Sequence, residues 1–189
     1  YYDFYVQGIC GLGDSSSLTG PFTFVTSCLP ISSPYFQNFD NTIAPNFDQC
    51  WSSLNNTGVS FANVQANDNS FNPVRSLPNS IQFYNSSGTS GELFFVSPMI
   101  SDLDSTKRIR FHLNSNSSSA DLIVGTMSDP SDPTTFTLYE TVANSSFSNG
   151  WQEIIVSFNN YNGTDNYIAL GHGLNSSFNY IFLDDFHYE

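Results

Sequence analysis

The spacing of the apolar runs is the feature that most constrains the fold. Windows of about 11–18 residues do not place apolar side chains at the i, i+3, i+4 and i+7 positions of an amphipathic helix. Short apolar or alternating runs recur instead at roughly 8–15 residues, and turn signals such as Asp129–Pro130, Asn149–Gly150 and Asn162–Gly163 separate them. This pattern predicts an all-β chain.

The apolar runs predict a series of strands, most of them after residue 79. They are Tyr2–Ile9, Phe22–Thr26, Ser80–Tyr84, Gly91–Val96, Arg108–Leu113, Asp121–Met127, Thr135–Val142, Gln152–Phe158, Tyr167–His172 and Asn179–His187. Strands with this spacing are typical of a two-sheet antiparallel β-sandwich, and we expect the jelly-roll kind with an N-terminal β-hairpin. Residues 34–79, with several Pro and a string of Asn, are expected to be mostly loop, and a stretch of that length is usually functional or wrapped over the domain surface.

The composition fits one folded domain with a flank. The chain has 189 residues, 39% of them hydrophobic, which is enough for a core. Because 17 acidic residues against 4 basic ones give a net charge of −13, nucleic acid is not expected as a partner. There is no apolar run of about 18 residues, so membrane insertion is not expected. No signal peptide is recognisable, which favours a mature or excised fragment.

The three cysteines, Cys10, Cys28 and Cys50, lie too far apart to form the close pairs that bind zinc. We therefore expect one disulfide and one odd thiol. Disulfides persist in exported proteins. The scarcity of lysine and the loops rich in Asn, Ser and Thr agree with export, so a secreted or cell-surface location is expected.

The N-terminal segment YYDFYVQGICGLGDSSSLTGPFTFVTSC predicts a hairpin, because it alternates aromatic and polar residues, turns through Gly and Ser and returns as PFTFVT. Its Cys-Gly loop, Gly-Pro and closing Cys resemble the last two strands of fibronectin type III modules of bacterial surface proteins. The resemblance implies that residues 1–27 end such a module, cut from a longer chain, and that residues 28–189 form the next domain. The alternative is a hairpin that belongs to the main domain.

Residues 28–189 carry seven stretches in a recognisable order. They are PYFQNFDN (34–41), APNFDQCW (44–51), GELFFVSPMI (91–100), TKRIRFHL (106–113), ADLIVGTMSDPSDPTTF (120–136), GWQEIIVSFNNYNGTDNYIALGH (150–172) and NYIFLDDFHYE (179–189). This order resembles the MAM-like jelly-roll modules of bacterial surface adhesins, of the cleaved-adhesin or choice-of-anchor type. The resemblance implies a calcium-stabilised, non-catalytic module. These modules usually carry Glu where this chain has Gln37.

Two aspartates, Asp184 and Asp185, interrupt the apolar closing strand, although strands disfavour Asp and a buried unpaired charge is costly. The resemblance implies a structural Ca²⁺ shared by the first and last strands, with Asp184 or Asp185 as a ligand together with Gln37, Asp40 and nearby backbone carbonyls. Calcium accepts oxygen ligands from scattered loops. Because side chains alternate along a strand, we expect the two aspartates to face opposite ways. The alternative is a solvent-facing Asp that protects a sheet edge.

The resemblance also implies a disulfide between Cys28 and Cys50, positions at which such modules often carry Cys. Closing a loop of this size stabilises a fold by roughly 3 kcal/mol in the chain-entropy model. Cys10 is then left without a partner. A second group of acidic side chains, Asp102 and Asp104, is interpreted as an ordinary solvated turn.

Aromatic side chains are the candidates for ligand contacts. Polysaccharide-binding sandwiches lay aromatic rings against sugars, and Trp51, Tyr84, Tyr161 and Tyr180 occupy loop or strand-end positions, with core packing as the alternative for each. Neither a G-x-S-x-G nor an H-E-x-x-H motif occurs. An enzyme is therefore not expected.

Together these features predict a non-catalytic adhesion or recognition module, secreted or on a bacterial cell surface. Its expected partners are an extracellular protein or glycan and the neighbouring domains of a larger chain, but neither nucleic acid nor the membrane interior. A carbohydrate-binding module that serves a polysaccharide-degrading enzyme is the alternative.

Overall fold

The computed structural model describes residues 2–24, 27–48, 50–68, 70, 72–115, 120–174 and 178–189. The strands are β1 (Tyr2–Val6), β2 (Ile9–Gly11), β3 (Asp14–Ser15), β4 (Thr19–Phe24), β5 (Tyr35–Gln37), β6 (Ser52–Asn55), β7 (Asn63–Asp68), β8 (Asn79–Asn85), β9 (Leu93–Val96), β10 (Arg108–Ser115), β11 (Leu122–Met127), β12 (Thr137–Val142), β13 (Gln152–Ser157), β14 (Tyr167–His172) and β15 (Asn179–Tyr188). Two short 3₁₀ turns, Pro133–Thr135 and Asn144–Ser146, are the helical elements of this described part.

Two antiparallel sheets form a jelly-roll β-sandwich, as the sequence predicted. One sheet, which we call the front sheet, has the order β13-β10-β15-β8-β7, with β5 also paired to β15. The other, the back sheet, has the order β12-β11-β14-β9-β6. The closing strand β15 therefore lies in the middle of the front sheet and directly beside the opening strand β5. None of the helical elements among the described residues is long or apolar enough to cross a lipid bilayer.

Aromatic side chains fill the space between the sheets. Trp51 stacks on Phe95 with ring centroids 4.5 Å apart, and the rings of Phe39 and Phe186 pack against it at 5.5 and 5.0 Å. Burying one such side chain contributes about 1.5–3 kcal/mol. The disulfide between Cys28 and Cys50 forms as the resemblance implied, with Cα atoms 5.6 Å apart, and ties residue 28 to the residue before Trp51.

The N-terminal segment forms the predicted hairpin, a two-stranded ribbon of β1 paired with β4, and the loop between them contains the short pair β2 and β3. One of its faces carries the paired rings of Tyr2 with Phe24 and of Phe4 with Phe22, whose centroids lie 5.4 and 5.3 Å apart. All side chains of β1 and β4 are exposed. The predicted strand Tyr2–Ile9 is broken after Val6, and residues 25 and 26 of the predicted strand Phe22–Thr26 lie outside the described residues.

The predicted loop over residues 34–79 is wrong in part, because it contains the three strands β5, β6 and β7. Strand β7 reads NVQAND, in which only Val64 is β-branched, so the sequence carries little strand signal. Pairing with β8 holds it in the sheet. All the strands predicted after residue 79 are present within a few residues of the expected bounds.

Candidate functional site

The first candidate site is an acidic corner of the front sheet, defined here as Asp40, Asp184 and Asp185 with Arg75 and Ser76. Strand β15 supplies Asp184 and Asp185, and the turn after β5 supplies Asp40. Residues 72–78, which we call the strap, connect β7 to β8 and carry Arg75 and Ser76. The corner therefore joins the opening strand, the closing strand and the strap.

The expectation that Asp184 and Asp185 face opposite ways is wrong, because a β-bulge interrupts the alternation. Arg110 pairs with His187 and His112 with Asp184, so β15 inserts one more residue than β10 between these two pairs. Asp185 adopts a left-handed backbone conformation with φ of 50°. Both aspartates consequently reach the Ser76 side chain, and both are buried, with 0% and 7% exposure.

The Asp184 carboxylate is bound by backbone N–H groups. Oδ2 accepts from the amides of Arg75 at 3.1 Å and Ser76 at 2.9 Å, and Oδ1 accepts from the Asp185 amide at 2.8 Å. Burial raises the pKa of Asp184 to about 6, and the charge of Asp185 adds to this effect, although the N–H donors oppose it. The carboxylate is thus fixed in position but poorly solvated.

The Ser76 hydroxyl lies among all three carboxylates. Its Oγ is 3.4 Å from Asp40 Oδ1, 3.2 Å from both oxygens of Asp184 and 3.5 Å from Asp185 Oδ1. A hydroxyl donates a single hydrogen, so it satisfies one carboxylate at a time. The Arg75 guanidinium forms an ion pair with Asp185.

Of the two other predicted metal ligands, Asp40 lies at the corner and Gln37 does not. The Gln37 amide donates to Asp48 and its Oε1 accepts from the Phe39 amide at 2.8 Å, so Gln37 hydrogen-bonds away from the aspartate pair. Asp40 does reach the corner, and its Oδ2 accepts from Asn38 at 2.5 Å. Phe39 precedes Asp40 in the chain and is buried. Its backbone φ of 60° is a conformation that costs a non-glycine residue about 1–3 kcal/mol.

The donor set of the corner fits calcium by its chemistry. Carboxylate and hydroxyl oxygens from Asp40, Ser76, Asp184 and Asp185 converge, and calcium is bound by such hard oxygen ligands. In the part of the chain that the structure describes, no group of three or more His, Cys, Asp or Glu side chains is placed so that it could hold a metal ion as it stands. Arg75 supplies the positive charge in this arrangement.

The second candidate site is an aromatic patch at the other end of β15, defined here as Tyr84, Phe178 and Tyr180. Tyr84 and Tyr180 stack with centroids 4.7 Å apart, because the two residues are register partners in β8 and β15. Phe178 packs edge-on against both rings, at 5.1 and 5.4 Å, and remains 61% exposed. Tyr84 and Tyr180, both predicted from the sequence, thus meet on the outer face of the front sheet.

Amide side chains lie next to the aromatic patch. Asn63 of β7 is the register partner of Tyr84, and Gln65 is the partner of Gln82 in the neighbouring row. The strap begins close by, because the Asn72 amide donates to Gln82 at 3.0 Å. The exposed ring of Phe178 and the half-buried rings of the two tyrosines thus combine an apolar surface with neighbouring hydrogen-bonding groups.

The prediction that Trp51 contacts a ligand is wrong. Its ring is 3% exposed and lies in the core, and its Nε1 donates to the Tyr35 hydroxyl at 3.1 Å. Phe95 covers the ring and the sandwich buries it, so Trp51 does not reach the surface where a ligand would bind. The tryptophan therefore packs the sandwich, which was the alternative interpretation.

Tyr161, the fourth predicted ligand residue, lines a cavity of about 360 Å³ with Thr126 and Asp165. Its hydroxyl accepts from the Asp165 amide at 2.7 Å. A Cβ atom at Gly163 would lie 2.8 Å from the Tyr161 ring, so the loop backbone lies against the hydroxyl end of that ring. Tyr161 is part of the cavity wall, separate from the aromatic patch.

The Asp102 carboxylate is a structural anchor. It accepts from the Tyr188 hydroxyl at 3.0 Å and from the Ser33 amide at 3.2 Å, and it pairs with Lys107 at 2.9 Å. Asp104 instead accepts from the amide and hydroxyl of Thr106 within its own turn. The predicted solvated turn describes Asp104 but is wrong for Asp102, which connects the segment before β5 to the end of β15.

Sequence reasoning missed Arg75, Ser76 and Phe178. One signal was present for Arg75, because it is the chain's only cation outside residues 107–110. Ser76 and Phe178 carry no comparable signal, since Ser and Phe are abundant in this chain. Their roles depend on the path of the strap and on the strand pairing.

Comparisons with known proteins show what the fold is similar to. No protein-family model and no curated protein sequence matches the chain. The K2 cleaved adhesin domain of Lys-gingipain matches with a TM-score of 0.64 and 14% identity, over 83% of this chain and 99% of that domain. The K1 cleaved adhesin domain of Lys-gingipain from Porphyromonas gingivalis W83 matches with a TM-score of 0.63 and 15% identity, over 83% and 98%.

Carbohydrate-binding modules share the same fold. The family 11 carbohydrate-binding module of the cellulosomal cellulase Lic26A-Cel5E of Clostridium thermocellum matches with a TM-score of 0.51 and 14% identity, over 83% of this chain and 95% of that module. At these identities the likeness shows the β-sandwich architecture. It does not transfer a ligand.

Proposed function

We propose that this chain is a non-catalytic recognition module that acts outside the cell and binds glycans through the aromatic patch. The observation that carries the proposal is the stacked pair of Tyr84 and Tyr180 with the exposed ring of Phe178 beside it. Sugar rings have apolar faces that pack on aromatic side chains and hydroxyl groups that bond to amides. Asn63 and Gln65 are the nearest amides by strand register.

Two settings for such a module remain candidates. The similarity to cleaved adhesin domains supports an adhesion module of a secreted or bacterial cell-surface protein. The similarity to a carbohydrate-binding module supports an accessory role beside a polysaccharide-degrading enzyme. Both settings use the same aromatic patch, and they differ in the ligand, which is a host glycan in the first case and the enzyme's polysaccharide in the second.

Calcium stabilisation at the acidic corner is part of the proposal. Asp40, Asp184 and Asp185 with the Ser76 hydroxyl would hold the ion, which would supply positive charge between the opening and closing strands. Its support is the convergence of three carboxylates on one hydroxyl, two of them buried. Thermal unfolding with calcium and with a chelator, together with metal analysis of the purified chain, tests this part. Equal melting temperatures and a metal-free protein would rule it out.

The N-terminal ribbon is proposed as the end of a preceding fibronectin type III module, which makes residues 28–189 the recognition domain. The support is the apolar face of Tyr2, Phe4, Phe22 and Phe24, which is exposed among the described residues. A two-stranded ribbon is marginally stable by itself. Residues 28–189 expressed alone should fold with the same melting temperature as the whole chain, and a large loss of stability would contradict the boundary.

Glycan arrays and calorimetry with soluble polysaccharides test the recognition proposal. The decisive variant is Phe178→Ala, because the Phe178 ring is mostly exposed and its removal should leave the fold intact. We expect at least about a tenfold loss of affinity, which is the size of a moderate contact at a binding hot spot. Tyr84→Ala should cause a similar loss.

Phe36→Ala is the matched control. Phe36 is also a partly exposed ring of the front sheet, 52% accessible, but it packs against His187 at 4.3 Å, far along β15 from Tyr180. Its replacement should leave glycan binding unchanged. Equal losses in both variants, or sugar binding that survives Phe178→Ala, would refute the proposed contact surface.

A further inference from the structure

We propose that Arg75 is an internal cation that competes with a divalent metal ion for Asp185. It thereby sets the metal concentration at which the acidic corner becomes occupied. This inference rests on the calcium part of the proposed function and adds a residue that tunes it. It assigns a role to the chain's one cation outside residues 107–110.

The charges at the corner are unbalanced without Arg75. Asp40, Asp184 and Asp185 all lie within 3.5 Å of the Ser76 hydroxyl, which can donate one hydrogen. Among the described residues, the Arg75 guanidinium is the charged group that contacts this set directly, through Asp185.

His112 is the other ionisable group that faces the corner. Its Nδ1 lies 3.9 Å from Asp185 Oδ2, which is beyond hydrogen-bonding distance. The imidazole therefore makes no direct contact of the kind that the Arg75 guanidinium makes with Asp185.

The other cations are already engaged with different carboxylates. Lys107 pairs with Asp102 at 2.9 Å, and Arg110 pairs with Glu153 at 3.0 Å and with Glu189 at 3.3 Å. Arg108 also pairs with Glu189, at 3.2 Å. Arg75 is thus the residue whose charge an incoming ion would meet.

The Arg75 side chain can leave without unfolding the strap. The side chain is 41% exposed, whereas its backbone amide and that of Ser76 are held by Asp184 Oδ2 at 3.1 and 2.9 Å. A metal ion that binds Asp185 is repelled by the guanidinium at short range and must displace it. Removing the guanidinium should therefore strengthen metal binding and, without metal, leave the buried carboxylates without a counter-ion.

The experiment compares calcium binding by calorimetry, with CaCl₂ as the probe, in the intact chain and in Arg75→Gln. We expect the variant to bind calcium about tenfold more tightly or better, which corresponds to removing one partly screened positive charge. Its melting temperature should be lower than that of the wild type in chelator and should recover when calcium is added. Arg75→Lys, which keeps the charge, should bind like the wild type.

Arg110→Gln is the matched control, because Arg110 pairs with carboxylates of the same sheet outside the corner. It should bind calcium as the wild type does. If the wild type binds calcium and Arg75→Gln binds equally or more weakly, the competition is refuted and the calcium site stands. If both chains are folded and neither binds, the competition and the calcium site are both refuted. A variant that fails to fold in chelator must be rescued by calcium, and lack of rescue overturns the inference.

Discussion

Replacing Asp184 by Asn should change the stability of the fold in opposite directions with and without calcium. Asp184 is fully buried, and burial raises its pKa from an ordinary 3.8 to about 6. The difference corresponds to about 3 kcal/mol of unfavourable free energy for the charged form at pH 7. Asn removes this charge but loses one acceptor, because its NH₂ group must face a backbone N–H donor, at a cost of about 1–2 kcal/mol. Without metal, the variant should therefore be about 1–2 kcal/mol more stable.

Calcium should reverse the order of stability of the wild type and Asp184→Asn. An ion at 100 times its dissociation constant stabilises the wild type by about 2.7 kcal/mol, and the variant has lost a ligand. Asp184→Asn should then be about 1 kcal/mol less stable than the wild type. The stability should also depend on pH. Because the pKa of Asp184 is raised in the folded state, the folded state binds the proton more tightly than the unfolded state does. The metal-free wild type should therefore gain stability as the pH falls from about 7 towards 4. The variant should lack this gain.

Urea denaturation at pH 7, in chelator and in calcium, measures both differences. Asp104→Asn is the control, since Asp104 is an exposed loop carboxylate that bonds within its own turn. Its effect should be small and equal in the two buffers. A loss of stability in Asp184→Asn that is the same with calcium and with chelator would refute the reasoning.

Three further changes test the packing of the domain by chemical denaturation. Replacing both Cys28 and Cys50 by Ala should cost about 3 kcal/mol, because their disulfide closes a separation of 22 residues; an unchanged midpoint would contradict this. Tyr188→Phe should cost about 1–2 kcal/mol, since its buried hydroxyl bonds to Asp102 at 3.0 Å, and no loss would mean that the bond does not stabilise. Gly171→Ala should cost about 1–3 kcal/mol, because the new Cβ would lie 2.6 Å from neighbouring Ile and Phe side chains; a neutral result would show that these side chains move.

The sequence predicted the sandwich because its strong strands carry their own signal. Strand β10, RIRFHLNS, alternates strictly between exposed or half-buried and buried positions, so its pattern alone places it. Strand β7, NVQAND, depends on its neighbour β8 and is not visible in the sequence. The local sequence pattern thus predicts strands that are rich in β-branched and aromatic residues. It misses strands that are held in the sheet mainly by pairing with a neighbouring strand.

The acidic corner was predicted in part. Asp40, Asp184 and Asp185 were nominated, and they meet around one hydroxyl. The bulge at Asp185 could not be derived, because it depends on the register of β15 against β10, and without it the two aspartates would point to opposite faces. Arg75 comes from the strap, whose path over the sheet is a tertiary property.

The aromatic ligand residues could also be predicted only in part. Tyr84 and Tyr180 could be nominated from their strand-end positions, and their stacking follows from strand register. Trp51, also nominated, is in the core, since position in a loop does not reveal burial. The choice between a core ring and a surface ring requires the packing of both sheets.

Chemical-shift mapping tests the central claim, that the front sheet binds glycans at the aromatic patch, most directly. The isotope-labelled chain is titrated with the oligosaccharide that gives the strongest array signal, and its aromatic resonances are followed. We expect the largest shifts on Tyr84, Phe178 and Tyr180, while Phe36 and the back sheet stay unchanged. Shifts centred on the back sheet or on the N-terminal ribbon, or no response to any oligosaccharide, would contradict it.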